Sequence, residues 1–157
     1  MPTASDYTVR QLCAEDVPSM EALMSVFGEA FDDAETYGSK RPASTYLRSL
    51  LASDSFIAVV ARKEAQVVGG LAAYVLKKFE QERSEIYIYD LAVSAAHRRE
   101  GIATAVIREL QRIGAERGAY VIYVQADLPD APAIALYSKL GVREDVLHFD
   151  IPVPPAG

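Results

Sequence analysis

Leu91-Ala92-Val93-Ser94-Ala95-Ala96-His97-Arg98-Arg99-Glu100-Gly101-Ile102-Ala103 is the stretch on which the reading of this chain turns. An apolar strand ends at Val93, a short turn carries two arginines, and a helix opens on glycine and small residues. The first amides of a helix have no partner within it and point outward at the positive end of its dipole. That arrangement receives phosphate. Gly101 and Ala103 keep side chains clear of such a ligand, and Arg98 and Arg99 offer guanidinium forks to its oxygens. No Gly-Lys-Ser/Thr follows, so this is not a Walker loop, and the three-glycine dinucleotide fingerprint is absent. A strand, turn and helix with one glycine also occurs in α/β proteins that bind nothing there. On spacing alone, both readings stand.

The rest of the chain bounds the possibilities. Its 157 residues fit one domain, and half of them are hydrophobic, enough for an ordinary core. One cysteine, Cys13, permits no internal disulfide, and with only two histidines no Cys/His zinc site is expected. The opening residues have no basic or apolar leader pattern, and no apolar run approaches the roughly 20 residues of a membrane span. A cytoplasmic, reducing setting is the expectation. The net charge of −6 argues against a nucleic-acid partner. It suits a cationic one, and equally it suits plain solubility.

Hydrophobic spacing lays out the remaining elements. Thr8–Leu12 reads as a first strand. Asp16 is a plausible cap for a helix through Phe27, with Gly28 where it would end, and Pro42 opens a second helix to about Ala52. Between them lies a polar, acidic segment with Glu29, Asp32, Asp33 and Glu35. Phe56–Ala61, Val67–Leu76 and Glu85–Val93 read as consecutive, hence antiparallel, strands, with Lys63–Gln66 as a hairpin turn. Gly101–Arg117 is a helix with the stripe Ile102, Val106, Leu110 and Ile113. Tyr120–Ala126 is a strand reached by a right-handed parallel crossover. A helix from Asp130 to Leu140 and a last strand, Leu147–Ile151, complete the order, and Cys13 is expected to pack inside.

Arg98-Arg99-Glu100-Gly101-Ile102-Ala103 resembles the Arg/Gln-x-x-Gly-x-Gly/Ala signature of the GNAT N-acetyltransferases. Asp130-Ala131-Pro132-Ala133-Ile134-Ala135-Leu136-Tyr137-Ser138-Lys139-Leu140-Gly141-Val142 is similar to the second half of that family's pattern. Within the family, the chain looks most like the aminoglycoside 3-N-acetyltransferases of type I, the gentamicin-modifying enzymes. That likeness runs from about Val9 to Ile151 through Phe27-Gly28, Tyr46-Leu47, Phe79-Glu80, Ser84–Val93, Gly118–Asp127 and His148-Phe149-Asp150.

The resemblance implies a fold and a set of roles. The fold would be one α/β GNAT domain over residues 1–157, with its core at about 7–151. Its sheet would be mixed and mostly antiparallel, six- to seven-stranded, flanked by about four helices, with the fourth and fifth strands splayed. Leu91, Ala92 and Val93 would offer backbone groups to the pantetheine arm of acetyl-CoA. Arg98, Arg99, Glu100, Gly101, Ile102, Ala103 and Thr104 would line its pyrophosphate, and Asp130, where the family often has asparagine, joins the cofactor set. Tyr137 would protonate the departing thiolate, or else is a core tyrosine. Asp90 would take the proton from the attacking amine, since an unpaired charge inside an apolar strand needs a reason. Glu85 is the second choice for that role, or simply ends the Lys77–Arg83 loop.

Asp32, Asp33, Glu35, Asp127 and Asp150, together with Asp90, are the expected binders of a polycationic drug. No metal is expected. The implied reaction is direct acetyl transfer from acetyl-CoA to the 3-amino group of the drug's 2-deoxystreptamine ring, without an acyl-enzyme, because nothing around Cys13 suggests an activated thiol. A homodimer is a possible assembly. Two rival readings remain: the same fold acting on another amine or a protein N-terminus, and a CoA-binding regulatory module without turnover.

Overall fold

A computed structural model describes residues 6–157. Met1–Ser5, the opening residues of the expected leaderless start, lie outside them. Contacts divide the chain into two compact units, one up to Gln125 and the other Ala126–Gly157.

The first unit is built on a five-stranded sheet, in the order β1 (Thr8–Gln11), β2 (Phe56–Lys63), β3 (Gln66–Lys77), β4 (Ser84–Val93), β5 (Ala119–Val124). β1 to β4 pair antiparallel, and β5 joins β4 in parallel after the crossover through helix α3 (Ile102–Glu116). β2 and β3 are buried on both faces, which is why they read as unbroken apolar runs rather than alternating ones. Glu64 takes a positive φ to close the two-residue turn between them.

Helix α1 (Val17–Ala30) and helix α2 (Ser44–Ala52) cover one face of the sheet. Met20, Leu23, Val26, Phe27, Leu47 and Leu51 pack there with Phe56, Ala58, Val60, Ala72 and Ala92. α3 covers the other face, burying the predicted stripe Ile102, Val106, Leu110 and Ile113.

Five expectations need correction. α1 does not stop at Phe27 but runs through Gly28 to Ala30, because Gly28 has a packing role rather than a terminating one. α2 begins at Ser44 rather than Pro42, since Ala43 before it is extended. Cys13 is exposed, and its thiol donates to Glu15 (3.0 Å) and Asp16 (3.1 Å). The Glu15 and Asp16 hydrogen bonds push the thiol up, away from a reactive thiolate. Asp16 itself sits at the start of α1, but its carboxylate is turned to a bidentate pair with Arg10 at 2.9 Å.

The second unit contains α4 (Ala131–Leu140), which begins and ends where the sequence places it. The fifth correction is here. Leu147–Ile151 forms no strand, and the described residues make five strands rather than six or seven. Leu147, Phe149 and Ile151 alternate as a strand would, yet they stand 84%, 78% and 86% exposed. Alternation supplies the propensity, but a strand exists only where a second backbone accepts its hydrogen bonds. Among the described residues, no helix is long and apolar enough to cross a membrane, and no cluster suited to a metal ion occurs.

Candidate functional site

β4 is the strand that places the chemistry, and an irregularity in it decides how. Ala73 of β3 faces Ile88, but the next residue, Ala72, faces Asp90. Tyr89 is therefore an extra residue, a β-bulge, and Tyr89 and Asp90 together oppose Ala72. Without the bulge, Asp90 would share the α3 face with the buried Ile86 and Ile88. With it, Asp90 turns to the α1 face. The ladder to β5 stops one residue earlier, at Ile88 and Val124, so Tyr89 to Val93 have no β5 partner. The backbone of Leu91, Ala92 and Val93 is consequently bonded on its β3 side and free on the other.

Asp90 has a partner that sequence reasoning missed. The Tyr37 hydroxyl donates to Asp90 Oδ2 at 2.9 Å, across 53 residues of chain. Burial pushes the Asp90 carboxyl above its ordinary range, and the Tyr37 bond only partly offsets this. Burial, then the Asp90 bond, hold the Tyr37 phenol well above its ordinary value, so it remains a donor.

Tyr37 lies in a π-helical turn, Glu35–Ser39, inside the segment between α1 and α2. Three features hold it. Its ring packs on Phe27 and Phe31 at 5.9 and 5.8 Å. Gly28 admits it, since a Cβ there would lie 3.2 Å from the Tyr37 Cβ. Arg41 donates to the Tyr37 carbonyl at 3.2 Å and to the Ser25 hydroxyl on α1. The one sequence signal was a tyrosine within an otherwise acidic, polar run.

A line of aromatic rings crosses the same face of the sheet. Phe56, Tyr74, Tyr89, Tyr87 and Tyr123 follow one another at centroid distances of 5.4, 5.9, 6.0 and 4.7 Å. Phe56 is buried, whereas Tyr74 and Tyr89 are 38% and 62% exposed. The Tyr87 hydroxyl donates to Gln125 at 2.9 Å.

The β4–α3 turn has the form its sequence suggests. Ala95–His97 is a 3-10 turn, Arg98 is extended, and Arg99 and Gly101 take positive φ of 65° and 81°. Glycine adopts that conformation freely at Gly101, whereas Arg99 does so at a cost. α3 has no side-chain cap, and its first ladder bond runs from Ala105 to Gly101. The amides of Ile102, Ala103 and Thr104 thus face outward unclaimed by the helix. Arg98 and Arg99 are exposed and bond to no other described side chain. Glu100 turns away to Lys63 and His97.

Other predicted residues lie elsewhere. Glu85 sits at the far end of β4, five residues from Asp90 and so about 17 Å along the strand, and is occupied by the Tyr120 hydroxyl and Lys78. The Tyr120 bond, then Lys78, hold its carboxylate low. Asp32 and Glu35 are exposed on the α1–α2 segment, while Asp33 accepts the Thr36 amide at 3.1 Å and is held low by the Thr36 side chain and then by that amide. In the second unit, Asp130 caps α4 by accepting the Ala133 amide at 3.2 Å. Asp127 is exposed, and Asp150 pairs with His148 at 2.8 Å. Tyr137 lies on α4, its phenol raised by burial and then by Asp130. A cavity of about 670 Å³ between α1 and the β2–β3 turn is lined by none of these residues.

The family model described as acetyltransferase (GNAT) family matches residues 20–142. The crystal structure of an aminoglycoside acetyltransferase from an uncultured soil metagenomic sample is 65% identical, with a TM-score of 0.92, over 94% of this chain and 99% of that one. A second aminoglycoside acetyltransferase from such a sample, crystallised in complex with sisomicin, is 30% identical, with a TM-score of 0.87, over 95% and 97% of the two chains. N-acetyltransferase 8B of Rattus norvegicus is 29% identical over 90 residues, 57% of this chain. That match spans 40% of the relative's length, less than half of it.

Proposed function

Because the chain belongs to the acetyltransferase (GNAT) family, whose members bind acetyl-CoA, we propose that it acetylates the 3-amino group of the 2-deoxystreptamine ring in aminoglycosides such as gentamicin. The enzyme would act in the cytoplasm as one functional domain, and the family match across residues 20–142 supports the single domain. The reading of the acceptor as an aminoglycoside is supported by the similar enzymes above, one of them holding sisomicin.

The observation that carries the chemistry is Asp90, bulged out of β4 beside the part of the strand that β5 leaves unpaired. Acetyl-CoA would lie with its pyrophosphate over the free amides of Ile102–Thr104 and near Arg98 and Arg99. Its pantetheine arm would run along the free edge of Leu91–Val93. The thioester carbonyl would then come within reach of an amine held at Asp90.

The acceptor amine arrives mostly protonated, as lysine's pKa of about 10.4 illustrates. Asp90 removes a proton, directly or through water, and burial helps by raising its basicity above that of an ordinary carboxylate. The amine nitrogen attacks the thioester carbon and the C–N bond forms; as the C–S bond breaks, the nitrogen gives its second proton to solvent. The thiolate would leave with a proton from Tyr137, whose phenol regains one from solvent, a role resting on the family pattern Asp130–Val142. Asp32, Glu35, Asp127 and Asp150 attract the polycation through their field, and Asp33 mainly shapes its own turn. Acetylation removes one ammonium charge, which weakens the drug's hold on RNA phosphates and so gives resistance.

Thiol release from acetyl-CoA is the test, run against gentamicin, sisomicin, spermidine and a peptide, with NMR of each product. Acetylation at the 3-amino group is the expected result. Another position, or turnover of spermidine or peptide alone, refutes the assignment.

A further inference from the structure

A single carboxylate removes a proton but does not explain how a rigid, several-ringed polycation is oriented so that one amine alone reaches it. The surface around Asp90 gives the answer. Tyr37 from the π-helical turn donates to Asp90, the Asp90 charge reaches the phenols of Tyr74 on β3 and Tyr87 on β4, and the Tyr89 ring packs against both of these. Among the described residues, the other carboxylate whose charge reaches this set is Asp33, through Tyr37. Ala72, opposite the bulge, is itself buried in the core, so the exposed part of this face is made by the tyrosines.

We propose that Tyr74 and Tyr89 form a platform on which one ring of the cationic amino-sugar acceptor lies, with its amine directed at Asp90. This rests on the acetyltransferase reading above and adds to it a specificity-determining surface.

The two rings meet edge to face, at 87° and 5.9 Å, so together they make a step rather than a flat patch. Tyr89 stands 62% exposed because the bulge pushes it out of the ladder. Tyr74 is backed by the buried Phe56, and Tyr87 by the parallel ring of Tyr123, so the platform cannot collapse under a ligand. The C–H face of an aminocyclitol or amino sugar packs on such rings, and its ammonium groups are drawn to their negative faces. A linear polyamine has the charges but no ring to lay down. The platform thus selects ringed amines over linear ones, which a field of carboxylates does not do.

The experiment compares the wild-type protein with Tyr89→Leu, Tyr89→Phe and Tyr74→Leu, using sisomicin and acetyl-CoA as substrates. Thermal unfolding monitors folding, and the exposure of Tyr89 lets its variants carry the test should Tyr74→Leu unfold. Each leucine variant is expected to raise the sisomicin KM by roughly five- to thirty-fold, with the acetyl-CoA KM unchanged. Tyr89→Phe keeps the ring and is expected to keep the KM within about two-fold of wild type. An unchanged sisomicin KM in Tyr89→Leu overturns the platform while leaving the acetyltransferase reading intact. A phenylalanine variant as impaired as the leucine one also overturns it, since the hydroxyl and not the ring would then matter. If the wild-type protein acetylates no aminoglycoside, the functional reading fails and the platform falls with it.

Discussion

Replacing Tyr37 by phenylalanine deletes one oxygen and leaves the ring on Phe27 and Phe31. The deleted group donates a 2.9 Å hydrogen bond to a half-buried carboxylate. Bonds to charged groups contribute about 1.5–3 kcal/mol, and partial exposure of this site puts the value near the lower end. At 1.36 kcal/mol per pKa unit, about one unit is at stake. The sign follows from which form the bond favours. Tyr37 stabilises the ionised carboxylate, so its loss raises the Asp90 pKa further above the ordinary range. The base form is then lost at a higher pH as the solution is acidified. The acid limb of kcat/KM for the drug should move up by about one pH unit. The high-pH plateau and the acetyl-CoA KM should stay close to wild type. Tyr37, Tyr74 and Tyr87 have their phenols raised, so none of them accounts for an acid limb. A pH–rate series from about pH 5 to 9, on either side of a perturbed carboxylate, decides the matter. An acid limb that stays in place while kcat falls, or that moves to lower pH, refutes the coupling of Tyr37 to Asp90.

Three further outcomes are expected. Asp90→Asn should abolish most of kcat yet stabilise the fold: the native pKa is raised above the unfolded value of about 3.9, so ionised Asp90 costs stability above the native pKa and nothing below the unfolded one. Thermal melts should therefore show the variant more stable at pH 7 and equal to wild type below about pH 4. Arg99→Gly relieves a φ of 65°, which is expected to add about 1 kcal/mol of stability while raising the acetyl-CoA KM through the lost charge; denaturant melts and steady-state kinetics read the two effects separately. Asp32→Asn and Glu35→Gln, on exposed residues, should raise the drug KM only at low salt, because a Debye length of about 8–10 Å screens them at physiological strength; kinetics across a salt series check this.

The parts legible in the sequence are those set by local pattern. The stripe of α3, the glycine at its start and the hairpin turn at Glu64 each follow from spacings within one element. The β4–α3 turn carries its own chemistry in consecutive residues, so its reading needed no knowledge of distant contacts. What escaped depends on partners far away in sequence. Nothing in Tyr87-Ile88-Tyr89-Asp90 signals a bulge, because the shift arises from how β3 meets it at Ala72 and Ala73. Tyr37 and Asp90 are joined only by the fold. Gly28 resembles a helix end locally, and only the Tyr37 Cβ packed against it shows why the glycine is inside the helix. Leu147–Ile151 has strand propensity, but sequence cannot show whether a neighbouring backbone is there to receive it.

The bulge at Tyr89 also changes how insertions and deletions at this point should be understood. An in-frame loss of one codon from a regular strand inverts the facing of every later residue. Loss of the Tyr89 codon would not do so, since Asp90 would still oppose Ala72 and Leu91 would still oppose Leu71. The strand would straighten instead, and its pairing with β5, which now stops at Ile88, would be free to continue along Leu91–Val93. Such a deletion would spare the core and close the backbone edge proposed to receive the thioester arm. In homologous chains, a gap at this position therefore marks a change in ligand access rather than a slipped alignment.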